Sequence, residues 1–255
     1  MFGPVNAARR RADLCRWFGQ SPGRSLLAVE SHALRAVWPR LFGKVAVQLG
    51  GVGSIDLLEA CNAPQRVLLS LPGVPAGAAG RVYGTAEELP FDSRSIDLVL
   101  LPHTLEFTED PHQVLREVSR VLTPEGHAVI LGFNPFSLWG LWRLAGRRRH
   151  RAMPWSGHFL QLNRLKDWFK LLGFELVQGS MLYYRPPLHS ETTMDRLRFL
   201  DKAGDRWWPM AGAVYLLVAK KRVLGMMPLR PEWRTTKAFG RAVARPALRV
   251  IRGSR

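Results

Sequence analysis

The stretch Ile96-Asp97-Leu98-Val99-Leu100-Leu101, then Asp110-Pro111, then Val114, Leu115, Val118, Val121 and Leu122 decides the fold. Its first six residues form an apolar run of strand length. Asp110-Pro111 is a helix start: the Asp side chain accepts from free first-turn amides, and proline fits that turn without losing a needed donor. Val114, Val118, Val121 and Leu122 recur at i, i+4, i+7 and i+8, one face of a helix. Thr123-Pro124-Glu125-Gly126 ends it, and His127 to Gly132 is again an apolar strand. Buried strand, helix and buried strand in succession argue for a parallel sheet covered on both faces.

Working outward, Val45 to Leu49 reads as another buried strand, running into Gly50-Gly51-Val52-Gly53. Ile55, Leu57, Leu58 and Cys61 suggest a helix after it. Arg66 to Leu71 and Arg81 to Tyr83 are the next two strands. Only Pro72 to Gly80 separate them, whereas a crossover carrying a helix needs about ten to twelve residues. Downstream, residues 163–172 predict a helix with Leu165, Trp168, Phe169 and Leu172 on one face, and 191–204 a further helix. Phe174 to Met181 and Ala213 to Ala219 are the last strands. Residues 1–43 look helical, with Ser21-Pro22 as a capped start and Leu26, Val29, Ala33, Val37 and Leu41 near helical spacing. The chain thus divides into an N-terminal helical extension (1–43), an α/β domain (44–220) with an aromatic and basic insertion (136–160), and a basic tail (221–255).

Ligands of such sheets bind outside the carboxyl ends of the strands. That rule puts Gly50–Gly53, Ser70, Thr85–Leu89 and Pro102–Glu106 along one edge. His103 is there a candidate general base or orienting group for a nucleophile, and equally a side chain lining the cleft. Glu106 either contacts substrate or pairs locally. Asn134 either contacts substrate or serves the turn beside Pro135.

The block Gly84-Thr85-Ala86-Glu87-Glu88-Leu89-Pro90-Phe91-Asp92, with Ile96 to Leu100, resembles the third and fourth motifs of class I S-adenosylmethionine-dependent methyltransferases of the type 11 kind. So does Leu115-Arg116-Glu117-Val118-Ser119-Arg120-Val121-Leu122-Thr123-Pro124-Glu125-Gly126. The run from Leu101-Pro102-His103-Thr104-Leu105-Glu106-Phe107 to Gly132-Phe133-Asn134-Pro135-Phe136-Ser137-Leu138-Trp139-Gly140 is similar to one proteobacterial branch of that group. The likeness covers roughly residues 44–220. It implies a Rossmann-like sheet of seven strands in the order 3-2-1-4-5-7-6, and S-adenosylmethionine as cofactor. It also implies Gln48, Gly50, Gly51, Gly53, Ser70, Thr85, Ala86, Glu87 and Pro102 as the residues around that cofactor. Two strands after residue 172 agree with this count independently.

The sequence departs from the family's pattern in three places. Gln48 stands where an acidic residue precedes the glycine turn, and Val52 and Ser54 replace its second and third glycines. A valine at a position needing positive φ is strained, so the turn is expected to take another path. The second strand ends Leu68-Leu69-Ser70-Leu71-Pro72, without the carboxylate that grips the ribose in the family. Losing one charged hydrogen-bond partner costs about 1.5–3 kcal/mol. Thr85 stands where Asp accepts from the adenine amino group. The expectation is a methyltransferase of unidentified acceptor. Its rival is a non-catalytic relative with an eroded cofactor site, acting as an RNA- or membrane-binding adaptor.

Charge sharpens the second possibility. The 255 residues hold 37 Lys+Arg against 20 Asp+Glu, a formal charge of +17. Thirty of those cations are Arg, a mix that a GC-rich genome also produces. The excess sits in the first 40 residues, in Arg143 to Arg151, and after residue 195, including Arg230, Arg234, Lys237, Arg241, Arg245, Arg249, Arg252 and Arg255. Phe136, Leu138, Trp139, Leu141 and Trp142 precede the central run. They suit a membrane interface with anionic headgroups, stacking on unpaired bases, or a lid packed on the cleft. Residues 1–20 lack the apolar core of a secretory signal. Cys15 and Cys61 lie far apart without metal-ligand spacing, so neither a disulfide framework nor a metal site is expected. The expected location is cytoplasmic, with a peripheral membrane location as the alternative.

Overall fold

The computed structural model describes residues 4–52, 56–74, 81–145, 156–187, 196–197 and 199–222. Seven strands form one sheet in the order β3-β2-β1-β4-β5-β7-β6. They are β1 (Val45–Leu49), β2 (Gln65–Ser70), β3 (Arg81–Tyr83), β4 (Ile96–Pro102), β5 (Leu122–Phe133), β6 (Phe174–Leu182) and β7 (Val214–Lys221). The first five are parallel, and β7 runs antiparallel between β5 and β6. The strand order matches the expectation, and β6 and β7 close the sheet as an antiparallel pair. The order reverses between β1 and β4, the switch point where ligands of such sheets bind.

The helices are α1 (Pro4–Phe18), α2 (Gly23–Val37), α3 (Pro111–Val121), α4 (Leu138–Ala145), α5 (Leu162–Leu171) and α6 (Phe199–Trp207). Helix α3 begins as its sequence dictates: the Asp110 carboxylate accepts from the amides of His112 (3.0 Å) and Gln113 (3.1 Å). Its far end is capped from the other side of the domain. Lys221 Nζ, on β7, donates to the carbonyls of Ser119 (2.6 Å) and Leu122 (2.8 Å), where a cation suits the helix dipole. Val114, Leu115, Val118 and Val121 bury the inner face of α3 on one side of the sheet, beside Leu165 and Phe169 of α5.

The opposite side is covered differently. Among the described residues no helix follows β1 where one is expected: Leu57 to Ala60 make a turn, and the preceding Asp56 accepts through Oδ1 from the Leu58 amide (2.9 Å), while Ile55 lies outside the described residues. Leu57, Leu58 and Cys61 are buried there, so their apolar spacing reflected packing rather than a helical period. The two N-terminal helices cover the space beside them. Leu14 and Phe18 of α1, and Leu26, Leu34 and Val37 of α2, pack against Ala46, Leu98, Leu100 and Val129 of the sheet. Trp38 is fully buried and its indole donates to the Leu57 carbonyl (2.9 Å). Two details of α2 differ from the sequence reading. Ser21 makes no cap, and the buried face runs Leu26, Leu27, Glu30, Leu34 and Val37 rather than through Val29 and Ala33. Between β2 and β3, residues 71–74 turn without a helix, and 75–80 lie outside the described residues.

Candidate functional site

The glycine turn after β1 takes another path, as its sequence requires. Gly50 alone among its described residues has positive φ (+80°), a conformation L side chains rarely adopt. Val52 does not, and its side chain is buried in the core. Gln48 is buried and spends its amide locally, donating to the Gly50 carbonyl (2.8 Å). Gly53 lies outside the described residues.

The ends of β2 and β3 border an open groove of about 520 Å3, lined by Ser70, Leu71, Gly73, Tyr83, Gly84 and Thr85 among others. That is within the usual size of a small-molecule site, about 300–1,000 Å3. Tyr83 stands 68% exposed beside it, an open aromatic face. The loop that follows, with Ala86 buried and Glu87 half-buried, is held by α3. The Glu117 carboxylate accepts from the Leu89 amide (3.0 Å), and Arg120 donates to the carbonyls of Leu89 and Phe91 (both 2.9 Å). The Arg120–Glu117 pair itself closes at 2.8 Å. Thus the Glu and Arg of the Leu115–Leu122 block anchor the third motif to the helix.

Helix α1 crosses this row of strand ends. The carbonyl of Ala8 lies where a Cβ on Gly73 would be, at 1.9 Å. Buried Arg11 donates to the carbonyls of Pro72 (2.9 Å) and Phe107 (3.1 Å). The Cys15 thiol donates to the Gly51 carbonyl (3.1 Å), and Phe18 packs on the His103 ring at 5.4 Å. From its N-terminal end, α1 therefore meets the ends of β2, β1 and β4 in turn.

Beneath it lies a buried cluster. His103 follows Pro102 at the end of β4 with φ +51°, its ring tilted by 31° against Phe133 at 4.2 Å. Its Nε2 lies 2.8 Å from Oε1 of Glu30, on α2, and its Nδ1 lies 3.6 Å from Oε1 of Glu106. All three side chains are wholly buried. Glu106 Oε1 also accepts from the Phe133 amide (2.6 Å). Burial alone would push the His103 pKa down, but the two neighbouring carboxylates, Glu30 foremost, outweigh it and hold the pKa at about 9. At neutral pH the ring is a charged donor and not a free base. Glu30 Oε2, Glu106 Oε2 and the Tyr215 hydroxyl are buried with no hydrogen-bond partner among the described residues.

Asn134 is buried with both ends of its amide engaged. Its Nδ2 donates to the carbonyls of Met210 (2.8 Å) and Gly212 (2.9 Å), while its Oδ1 accepts from the Phe136 amide (3.0 Å). The structure thus brings Gly50, Ser70, Tyr83, Thr85, Pro102, His103 and Glu106 to one edge, with Asn134 in an adjoining turn. Sequence reasoning missed Glu30 and Arg11. Glu30 had a signal: it lies four residues from both Leu26 and Leu34, on the buried face of an apolar helix. Arg11 had none, one cation in the run Arg9-Arg10-Arg11. Among the described residues, no group of three or more His, Cys, Asp or Glu could hold a metal ion.

The sequence model of a family described as "Methyltransferase domain" matches residues 54–130. The uncharacterized protein YafS of Escherichia coli K12 is 32% identical over 189 residues, covering 72% of this chain and 71% of that protein. The demethylmenaquinone methyltransferase of Chlamydia pneumoniae is 34% identical over 95 residues, covering 37% of this chain and 36% of its own. Among solved structures, a SAM-dependent methyltransferase from Thermotoga maritima aligns with a TM-score of 0.58 at 19% identity, covering 81% of this chain and 94% of that one. Taken with the seven-stranded topology, these matches show a methyltransferase domain at residues 54–130 within the fold of class I methyltransferases, and the chain belongs to one family with YafS.

Proposed function

We propose that the protein is an S-adenosylmethionine-dependent methyltransferase whose cofactor lies along the ends of β1 to β4. The observation that carries this reading is the groove at Ser70–Val74 and Tyr83–Thr85, next to a turn whose Gly50 has the backbone conformation that close ligand approach needs. These residues fit the adenosyl half of the cofactor. Tyr83 offers a stacking face for adenine. Ser70 and Thr85 offer hydroxyls where the family has carboxylates. Gly50 and Gly51 place backbone next to the ligand, with Gln48, Gly53, Ala86, Glu87 and Pro102 shaping the same edge. The bound cofactor would supply an activated methyl group on a sulfonium. The chain's own contribution is placement, which can supply much of the rate of such a displacement. Helices α1 and α2 exclude water from the edge, and α3 holds the Thr85–Leu89 loop through Glu117 and Arg120. His103 is a positioning residue, bound to Glu30 of α2 and so tying the covering helices to β4.

The test is calorimetric titration with S-adenosylmethionine and S-adenosylhomocysteine. Binding that Gly50→Leu abolishes and His103→Asn spares is the expected result. No heat at millimolar ligand would overturn the proposal and leave a non-catalytic member of the family.

A further inference from the structure

One face of the domain is apolar where it meets solvent. In α4, Trp139 is wholly buried and its indole donates to the Arg185 carbonyl (2.8 Å), while Leu138, Leu141 and Trp142 face outward. Phe136, just before the helix, is 68% exposed. Trp207, Trp208 and Met210, at the end of α6 and in the turn after it, are as open, with Trp208 at 67%.

These two stretches, some seventy positions apart in sequence, share a mount. Asn134 binds the Phe136 amide through one end and the Met210 carbonyl through the other. Tyr184 donates its hydroxyl to the Pro209 carbonyl (3.1 Å). The adjacent Arg185 pairs with Asp201 of α6 (2.6 Å), and its own carbonyl holds Trp139. The exposed rings therefore stand on buried, hydrogen-bonded anchors. Exposed apolar side chains mounted together in this way mark an interaction site.

Charge decides the occupant. Between Glu125 and Asp167 the sequence contains no acidic residue, while Arg143, Arg147, Arg148, Arg149, Arg151, Arg164 and Lys166 fall in that interval. Arg206 immediately precedes the Trp207-Trp208 pair. Tryptophan and phenylalanine beside arginine on a helix of only eight residues suits shallow insertion at a headgroup boundary. It cannot span: among the described residues no helix is long and apolar enough to cross a membrane.

We propose that Phe136, Leu138, Leu141, Trp142, Trp208 and Met210 form a docking surface for the interface of an anionic lipid bilayer. The rings enter the headgroup region, and Arg143 on α4 and Arg206 beside Trp207 meet lipid phosphates. This surface adjoins the end of β5, so a bilayer seated there lies next to the proposed site. Docking itself needs neither cofactor nor catalysis.

The test uses the full chain and sucrose-loaded vesicles. The protein is expected to sediment with vesicles of phosphatidylcholine mixed with phosphatidylglycerol, and at least about tenfold more weakly with phosphatidylcholine alone. The exposed-residue variant Phe136→Ser/Trp142→Ser/Trp208→Ser should weaken anionic-vesicle binding by about tenfold or more. Its circular dichroism and its titration with S-adenosylhomocysteine should stay those of the parent. Absence of binding to anionic vesicles overturns the proposal, as does undiminished binding by the triple variant. Single-stranded RNA that displaces the parent and the variant from vesicles with equal ease also overturns it, because the cations alone would then be acting.

Discussion

The crossovers on the two sides of β4 solve one problem in different ways. Between β4 and β5 the chain supplies its own cover: α3 is capped by Asp110, closed by Lys221 and tied to the Thr85–Leu89 loop by Glu117 and Arg120. Between β1 and β2 the described residues form only a turn, and α1 and α2, from before the sheet, cover that face. A sheet face must be buried, but the covering helix need not come from the crossover itself. The consequence is functional. A helix inside a crossover joins two strands of the sheet, whereas α1 and α2 precede β1 and lie on the sheet through what they touch. What they touch is the site: Gly51, Pro72, Gly73 and His103.

The sharpest way to break this comparison is Trp38→Ala. It removes a buried ring and its bond to Leu57, and should cost about 3–5 kcal/mol in denaturant unfolding. If α2 truly replaces a crossover helix, Leu34→Ala on its buried face should cost as much as Leu115→Ala in α3, about 2–5 kcal/mol. Glu30→Ala, which strands the charged His103 ring in the core, should cost about 3–5 kcal/mol at neutral pH.

The same pair makes stability depend on pH. His103 titrates near 6.5 unfolded and at about 9 folded, so its contribution is complete below pH 6.5 and is lost as pH rises through 9. Across that window unfolding free energy should fall by roughly 3 kcal/mol, and His103→Asn should flatten the profile measured by urea titration at successive pH values. Helix α3 should respond to the loss of its cap by about 1 kcal/mol, seen as a lowered melting temperature of Asp110→Ala. The smallest effect on stability is expected from Arg120→Met, about 1 kcal/mol for a partly buried pair. That substitution nonetheless frees the Thr85–Leu89 loop, and calorimetry should register weaker S-adenosylhomocysteine binding than in Asp110→Ala.

Much of this was legible in the chain. The β4–α3–β5 unit declares itself because each signal is local: an apolar run, an Asp-Pro start, and one apolar face. The strand order came from the family likeness, and the strand count agreed with it. The glycine turn's altered path followed from Val52, which cannot take the conformation Gly50 takes. The misreadings have physical causes. Leu57, Leu58 and Cys61 are apolar because they are buried, and burial without a hydrogen-bonded period looks like a helix over so short a stretch. Ser21 has the composition of a cap without the bond. His103 and Glu106 were found, with Glu106 read either as a substrate contact or as a local pair, but their full burial was not. That burial depends on Glu30 and Phe18, which the two N-terminal helices bring in.

Sequence by itself determined the parallel sheet, the chemistry available along its edge, and the separation of most positive charge from the core. Periodicity, turn chemistry and composition act within a few residues of their source, so they survive in a one-dimensional reading. Tertiary structure alone decided that α1 lies over the row of strand ends and that a glutamate and a histidine 73 positions apart form a buried pair. It alone decided that the rings around Phe136 and Trp208 stand on one hydrogen-bonded mount. Those outcomes depend on which distant surfaces meet, and that is set by the packing of whole faces rather than by any local signal.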